Sequence, residues 1–152
     1  ENRDLLARLV PEFFRARALR PLRPFLDLWQ DALARLAPAG SGVALLSPGP
    51  GGPDWFEQVL LARHLACALV EGGDLTVRDG ALYLKTLRGL SRIGVLVRRQ
   101  DGRTVDPLEL DPDPVGGVVG LLDAARGGAV RILNDPGTGL AEAPAIAAVL
   151  PA

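Results

Sequence analysis

A continuous apolar run, Val43 to Leu46, breaks at Ser47 into the loop SPGPGGPD and is followed by apolar residues at helical spacing: Trp55, Val59, Leu60, Ala62, Ala66 and Leu69. A short unbroken apolar run suits a strand covered on both faces, and the turn and amphipathic helix behind it make the first unit of an open parallel sheet. In such sheets ligands lie just past the carboxyl ends of the strands. The loop Ser47 to Asp54 is therefore the first place to look for chemistry.

The rest of the chain keeps the alternation. Leu5, Leu6, Leu9 and Val10 form one helical stripe, Pro11 stops or restarts the helix, and Pro24 to Ala37 is a second helix with Phe25, Leu28, Trp29, Ala32, Leu33 and Leu36 facing inward. Ala68 to Val70 reads as a second strand. Asp74 to Lys85 alternates around Asp79-Gly80, the pair that most strongly signals a hairpin. Ile93 to Val97 is another buried strand, closed by Arg98 and Arg99; Asp101 to Pro114 is a surface loop; Val115 to Arg126 is a helix that Gly127-Gly128 stops. Ala129 to Leu133 is a further strand, Asn134 to Gly139 a turn cluster, and Ala143 to Leu150 a last helix. The expected fold is α/β: one Rossmann-like three-layer domain over residues 1–152, with a mostly parallel sheet, an inserted β-hairpin and an amino-terminal helical arm at 1–38.

Bulk properties narrow the partners. The 152 residues are 48% hydrophobic, enough for one real core. Seventeen Lys and Arg against eighteen Asp and Glu give a net charge of -1, which offers no basic face for nucleic acid or for an anionic membrane. No run approaches the length of a membrane span, and a cytoplasmic setting is expected. The single cysteine, Cys67, reads as a small core residue. The sequence contains no Met and begins at Glu1 within a helix-forming stretch, so a piece of a longer chain is expected.

Three strand ends could carry chemistry. A glycine turn before a helix presents free amides to an anion, yet Pro50 and Pro53 have no N–H, no Lys-Ser or Lys-Thr follows, and Asp54 with Glu57 looks like a capping pair. The loop is either a structural turn or a ligand contact through Ser47 and the Gly49 amide. Arg98 and Arg99 point to opposite sides of their strand, so one guanidinium reaches the crevice, where its planar fork suits a carboxylate or phosphate. The alternative is a pair of surface charges meeting Asp101 and Asp106. The turn NDPGTG offers the Asn134 amide, the Thr138 hydroxyl and backbone amides, a composition that turn chemistry alone would also select. The arm's Arg15, Arg17, Arg20 and Arg23 are an anion site, a solvated face or an interface. His64 has no second His and no cysteine pair at ligand spacing, so no metal site is expected.

Eight blocks in order resemble one family. They are ENR at 1–3, PEFF at 11–14, LLSPGP at 45–50, FEQVLLAR at 56–63, LVEGGDLTVRDG at 69–80, RRQDGRTVDPLEL at 98–110, GLLDAARGG at 120–128 and NDPGTG at 134–139. Together they are similar to the circularly permuted ATP-grasp proteins of the type related to glutathionylspermidine and glutathione synthetases. Departures are Ser47 in place of Thr, Gly51-Gly52 in place of longer polar side chains, and Asp135-Pro136 within the last block.

The resemblance implies an enzyme that joins a carboxylate to an amine through an acyl phosphate, with ATP and magnesium used by the full-length parent. It places the groups that hold them outside this chain, so no cofactor, catalytic residue or metal ligand is expected within it. The chain would be the substrate-side domain, similar to a pre-ATP-grasp domain and inactive alone. Its partners would be the remainder of the parent chain and an amino acid or peptide-like substrate. By the same match, Arg98, Arg99 and Asp101 orient that substrate, and Ser47, Gly49, Asn134, Thr138 and Gly139 complete the crevice rim. A reading of another class is a noncatalytic scaffold or subunit-interaction module.

Overall fold

A computed structural model describes residues 2–17, 19–112, 116–140 and 144–147. Helices α1 (Asn2–Leu9), α2 (Pro11–Ala16) and α3 (Arg23–Leu36) lead to β1 (Gly42–Leu46), α4 (Trp55–His64) and β2 (Ala68–Val70). The hairpin β3 (Leu75–Arg78) and β4 (Ala81–Thr86) follows, then the long β5 (Gly89–Arg98), α5 (Leu121–Arg126), β6 (Arg131–Leu133) and α6 (Pro144–Ala147). The last helix lies within the expected span Ala143 to Leu150, whose other residues fall outside the described ones, as does Val115.

The six strands form one mixed sheet in the order β2-β1-β5-β4-β3, with β6 also on β5. The β1–β2, β1–β5 and β5–β6 pairings are parallel, whereas β3–β4 and β4–β5 are antiparallel. Strand β5 joins the two halves. Its residues Gly89 to Arg92 pair with β4, and Val95 to Val97 lie between β1 and β6. The hairpin forms because Asp79 and Gly80 both take left-handed backbone, φ 50° and 70°, the requirement of a two-residue turn matched to strand twist.

Alternation along β1 and β5 sends side chains to two cores. Ala44, Leu46 and Leu96 pack with Leu121 and Ala124 of α5 and with Leu75 and Leu82 of the hairpin strands. Leu45, Val95 and Val97 pack with Leu33 of α3 and with Ala62 and Leu65 of α4 and its end. Cys67 is half-buried against the second cluster, and burial pushes its thiol pKa up.

Four expectations need correcting. Asp101 to Pro114 is not merely a surface loop, because Val105 and Asp106 are fully buried. The Asp106 carboxylate accepts from the backbone N–H of Leu108 at 3.0 Å, Gly120 at 3.3 Å and Leu122 at 3.0 Å, which ties this loop to the start of α5. That helix begins at Leu121 rather than Val115, since Gly120 stands at φ 78° and interrupts the turn before it. Helix α4 ends at His64, where Ala66 turns left-handed at φ 51° and Cys67 N–H closes onto Ala62 O. Of the α3 stripe, Leu33 is buried and Trp29 and Leu36 reach the core, whereas Phe25 and Leu28 are 59% and 66% exposed, because the sheet face meets only the later turns of the helix.

Candidate functional site

Parallel strands β1, β5 and β6 end along one edge, at Leu46, Arg98 and Leu133, and the backbone there is drawn together by Arg99 N–H to Leu46 O and Ser47 N–H to Val70 O, both 2.9 Å. Adjacent residues on a strand point apart, and the two arginines do so. Arg98 turns toward the loop after β6. Its Nε donates to Asn134 O at 2.6 Å, Nη1 to Gln100 O, and Nη2 to Asp135 O at 3.2 Å and Thr138 Oγ1 at 3.4 Å. Asn134 answers by donating Nδ2 to Arg98 O at 2.9 Å, holding left-handed backbone at φ 60°. Arg99 turns the other way, and its Nη2 meets Glu57 Oε1 on α4 at 2.7 Å.

Two cavities adjoin here and share Arg98, Gln100 and Thr138. One, about 570 Å3, is lined also by Asp54, Arg99 and Asn134. The other, about 730 Å3, is lined also by Asp101 to Arg103 and Pro136 to Gly139. Both volumes suit a small ligand. Gly102 lies so close to Pro136 that a Cβ on it would stand 2.7 Å from Pro136 O, so the walls of the larger lobe touch at their base.

Thus Arg98, Arg99, Asp101, Asn134, Thr138 and Gly139 come together around one crevice. Ser47 and Gly49 do not line either lobe. Ser47 is buried and its Oγ accepts the Gly49 N–H at 3.0 Å, while Gly49, at φ 94°, has no room for a side chain beside the Glu71 carboxylate. The expected capping pair at Asp54 and Glu57 is absent: Asp54 makes no side-chain cap, and Glu57 pairs with Arg99 instead. Among the described residues, neither arginine of the strand end forms an ion pair with Asp101 or Asp106, although Arg98 acts on Asp101 through space. Asp101 accepts from Arg103 N at 2.9 Å and from Arg103 Nη2 at 2.9 Å, and Asp106 is engaged by backbone N–H groups.

The Asp101 carboxyl pKa lies below its ordinary value, chiefly through the hydrogen bond from the Arg103 side chain. A depressed carboxylate pKa stabilises the fold above the unfolded-state value, and that contribution is lost as pH falls through the folded-state value. Solvent screening keeps it small at this exposed site. Carboxyl-detected NMR titration is expected to show Asp101 moving up toward the ordinary aspartate value in Arg103→Ala; an unmoved titration contradicts the pairing.

A sequence profile described as circularly permuted ATP-grasp type 2 matches residues 1–152. The chain belongs to this family. An uncharacterized protein of Synechocystis sp. is 37% identical over 154 residues, covering 99% of this chain and 32% of that protein. An uncharacterized protein of Mycobacterium bovis is 39% identical over 153 residues, covering 99% of this chain and 17% of the relative. An uncharacterized protein of Mycobacterium leprae is 37% identical over 145 residues, covering 93% and 26%. The chain spans less than a third of the length of these relatives.

Among the described residues, the donors of the glycine loop and of the crevice do not form the set that a nucleotide triphosphate with its metal needs. In the loop after β1, Gly49 N–H is taken by Ser47 Oγ, Gly52 N–H by Gly49 O and Trp55 N–H by Gly52 O, and three prolines have no N–H to give. Lys85, the single lysine, sits on hairpin strand β4 and lines neither lobe. Among the described residues, no three His, Cys, Asp or Glu side chains gather as a cation site would need. Among the same residues, no helix is long and apolar enough to cross a membrane. Gln100 and Arg103 are among the crevice residues that reading the sequence missed, with Asp54, Gly102, Pro136 and Gly137. Strand alternation could have found the first, because residue 100 falls on the same side as residue 98.

Proposed function

We propose that this chain is the substrate-binding part of an ATP-dependent ligase joining a carboxylate to an amine, that its strand-end crevice seats an acidic or peptide-like substrate, and that it works in the cytoplasm. The parallel half of the sheet, with helices over both faces, would then serve as a Rossmann-like layered scaffold that places three loops around one ligand.

One observation carries this reading. Arg98 is half-buried, and every hydrogen-bond acceptor it meets is neutral: three backbone carbonyls and a hydroxyl. No carboxylate hydrogen-bonds this partly desolvated cation; Asp101 acts on it only through space and is itself held by Arg103, so an anion entering the adjoining lobes would complete the balance. Five donors in a planar fork leave one Nη1 hydrogen available after these contacts. Arg99, paired with Glu57, would contribute field at the rim of the smaller lobe.

Calorimetric titration with acidic amino acids and short acidic peptides tests the proposal. Arg98→Ala is expected to weaken binding at least about tenfold, roughly 1.4 kcal/mol, and Arg99→Ala to weaken it less. Equal affinity in the wild type and both variants would remove the arginines from the site. Thermal melts of the variants separate lost binding from lost structure.

A scaffold or interaction role is favoured by a different feature. Leu5, Leu6, Leu9 and Phe13 of the arm and Phe25 and Leu28 of α3 are all at least half exposed, an apolar surface larger than a solvated arm requires.

A further inference from the structure

We infer that Gln100 reads an amino group beside the anionic group of the ligand, so that the crevice selects an α-amino acid over a plain carboxylic acid. The inference rests on the anion seat at Arg98 proposed above and extends it to the second half of the ligand.

Gln100 follows the strand end of β5 and is 93% buried, with only 7% of its surface exposed. Its Nε2 donates to Gly116 O at 2.7 Å, which orients the carboxamide, yet Oε1 is buried without any hydrogen-bond partner among the described residues. A buried carbonyl oxygen left unpaired forfeits its hydration and receives nothing in return. Such groups in a native fold call for an explanation, and here the residue is one that lines both lobes of the crevice. The terminal torsion of a glutamine is broad, so in the proposed complex the carboxamide turns to meet the entering donor, at the expense of its bond to Gly116 O.

The two recognition groups are linked through one residue's backbone and line the same two lobes. Arg98 Nη1 donates to the backbone O of Gln100, which sets the guanidinium against the residue whose side-chain oxygen is unpaired. A cation with a spare N–H next to an acceptor without a donor is complementary to a carboxylate next to an ammonium. The nearby carboxylate, Asp101, is a poorer receptor for that ammonium, because Arg103 already holds it through backbone N and side-chain Nη2. A polar site built to meet an N–H rejects the analogue lacking it more strongly than an apolar pocket rejects a missing methylene.

Glutamate and glutarate differ by the ammonium alone and are the probes, titrated by calorimetry into the 152-residue chain. Glutamate is expected to bind at least about tenfold more tightly, and Gln100→Met, which keeps length but removes the acceptor, to bring the two to equal affinity with glutarate unchanged. Gln100→Glu, which keeps an acceptor and adds charge, is expected to widen the preference for glutamate. Equal affinities in the wild type overturn the role of Gln100 while leaving the anion seat intact, and so does a preference that survives in folded Gln100→Met. If Gln100→Met does not fold, a preference in Gln100→Glu no larger than that of the wild type overturns the role. Failure of both probes to bind the wild type overturns this inference together with the reading beneath it.

Discussion

Replacing Gly94 by alanine is expected to lower the stability of the chain by about 3 kcal/mol, near the upper end of what overpacking a close-packed site costs. The position has no spare volume: a Cβ there would stand 2.2 Å from Ser41 Oγ and 2.5 Å from Pro38 Cδ. Ser41 cannot swing away freely, since its Oγ donates to Pro38 O at 2.7 Å, and the proline ring has no rotamer to change. Gly94 is also the extra residue of a bulge. Between Ile93 and Val95 strand β5 advances two residues while β1 advances one, from Gly42 to Val43. That insertion changes which face each side chain meets. It puts Ile93 with Leu96 in the cluster under α5, and Val95 and Val97 in the cluster under α3 and α4. Because β5 pairs with three strands, a shift at Gly94 is felt on both sides of the sheet. Urea or thermal unfolding measures the loss, and a change below about 0.5 kcal/mol, the range of ordinary surface substitutions, contradicts the packing described.

The Asp106→Ala variant is expected to lose about 3–5 kcal/mol, because three buried or half-buried backbone N–H groups lose their acceptor at once, each costing about 1–3 kcal/mol. Asp106 lies fully buried some distance along the chain from the helix it caps, and its Oδ2 takes the Leu122 N–H at 3.0 Å while Oδ1 serves Leu108 and Gly120. A carboxylate at a helix amino terminus also faces the positive end of the peptide dipoles. Asp106→Asn keeps one acceptor oxygen and turns an N–H2 toward the other donors, so a smaller loss is expected. The same loop carries the turn Gly102–Thr104 that walls the larger lobe, so the Ala variant should also bind ligand more weakly. Equal unfolding midpoints for Asp106→Ala and the wild type would remove the carboxylate from this role.

Much of this architecture could be read from local patterns. The run GVALL, the Asp-Gly turn and the apolar stretch around Val95 each follow from one short-range rule, and each became the strand or hairpin expected. Membership of the ATP-grasp family was likewise legible in eight blocks spread over the whole chain. Misreadings arose where a distant group decided the local structure. The glycines between Val115 and Leu121 hinted that the helix starts later, but the group that fixes its start, Asp106, lies far back in the chain. Nothing near Leu69 stops α4, since the left-handed residue that ends it is Ala66, where glycine would have been the signal. Glu57 looks like the partner of Asp54 in sequence but lies nearer to Arg99, forty-two residues away.

The crevice was half legible for a similar reason. Strand-end position identified Arg98, Asn134 and Thr138, whose contacts are with one another. Both arginines line the crevice, but which of them is bound into its wall depended on the position of the loop after β6, and Arg98 took that role by donating to three of its groups. Ser47 follows a strand end as the others do, but its hydroxyl oxygen is engaged by the Gly49 amide.

The central claim is that the anion seat lies where β5 and β6 end, not in the glycine loop after β1. Amide-resolved NMR titration of the isotope-labelled chain with glutamate tests it most directly. The account predicts saturable shifts at Arg98, Gln100, Asp101 and Gly137 to Gly139, with the amides of Gly49, Gly51 and Gly52 unmoved. Shifts concentrated in the Gly49 to Gly52 loop, or no saturable shift at either place, would contradict it.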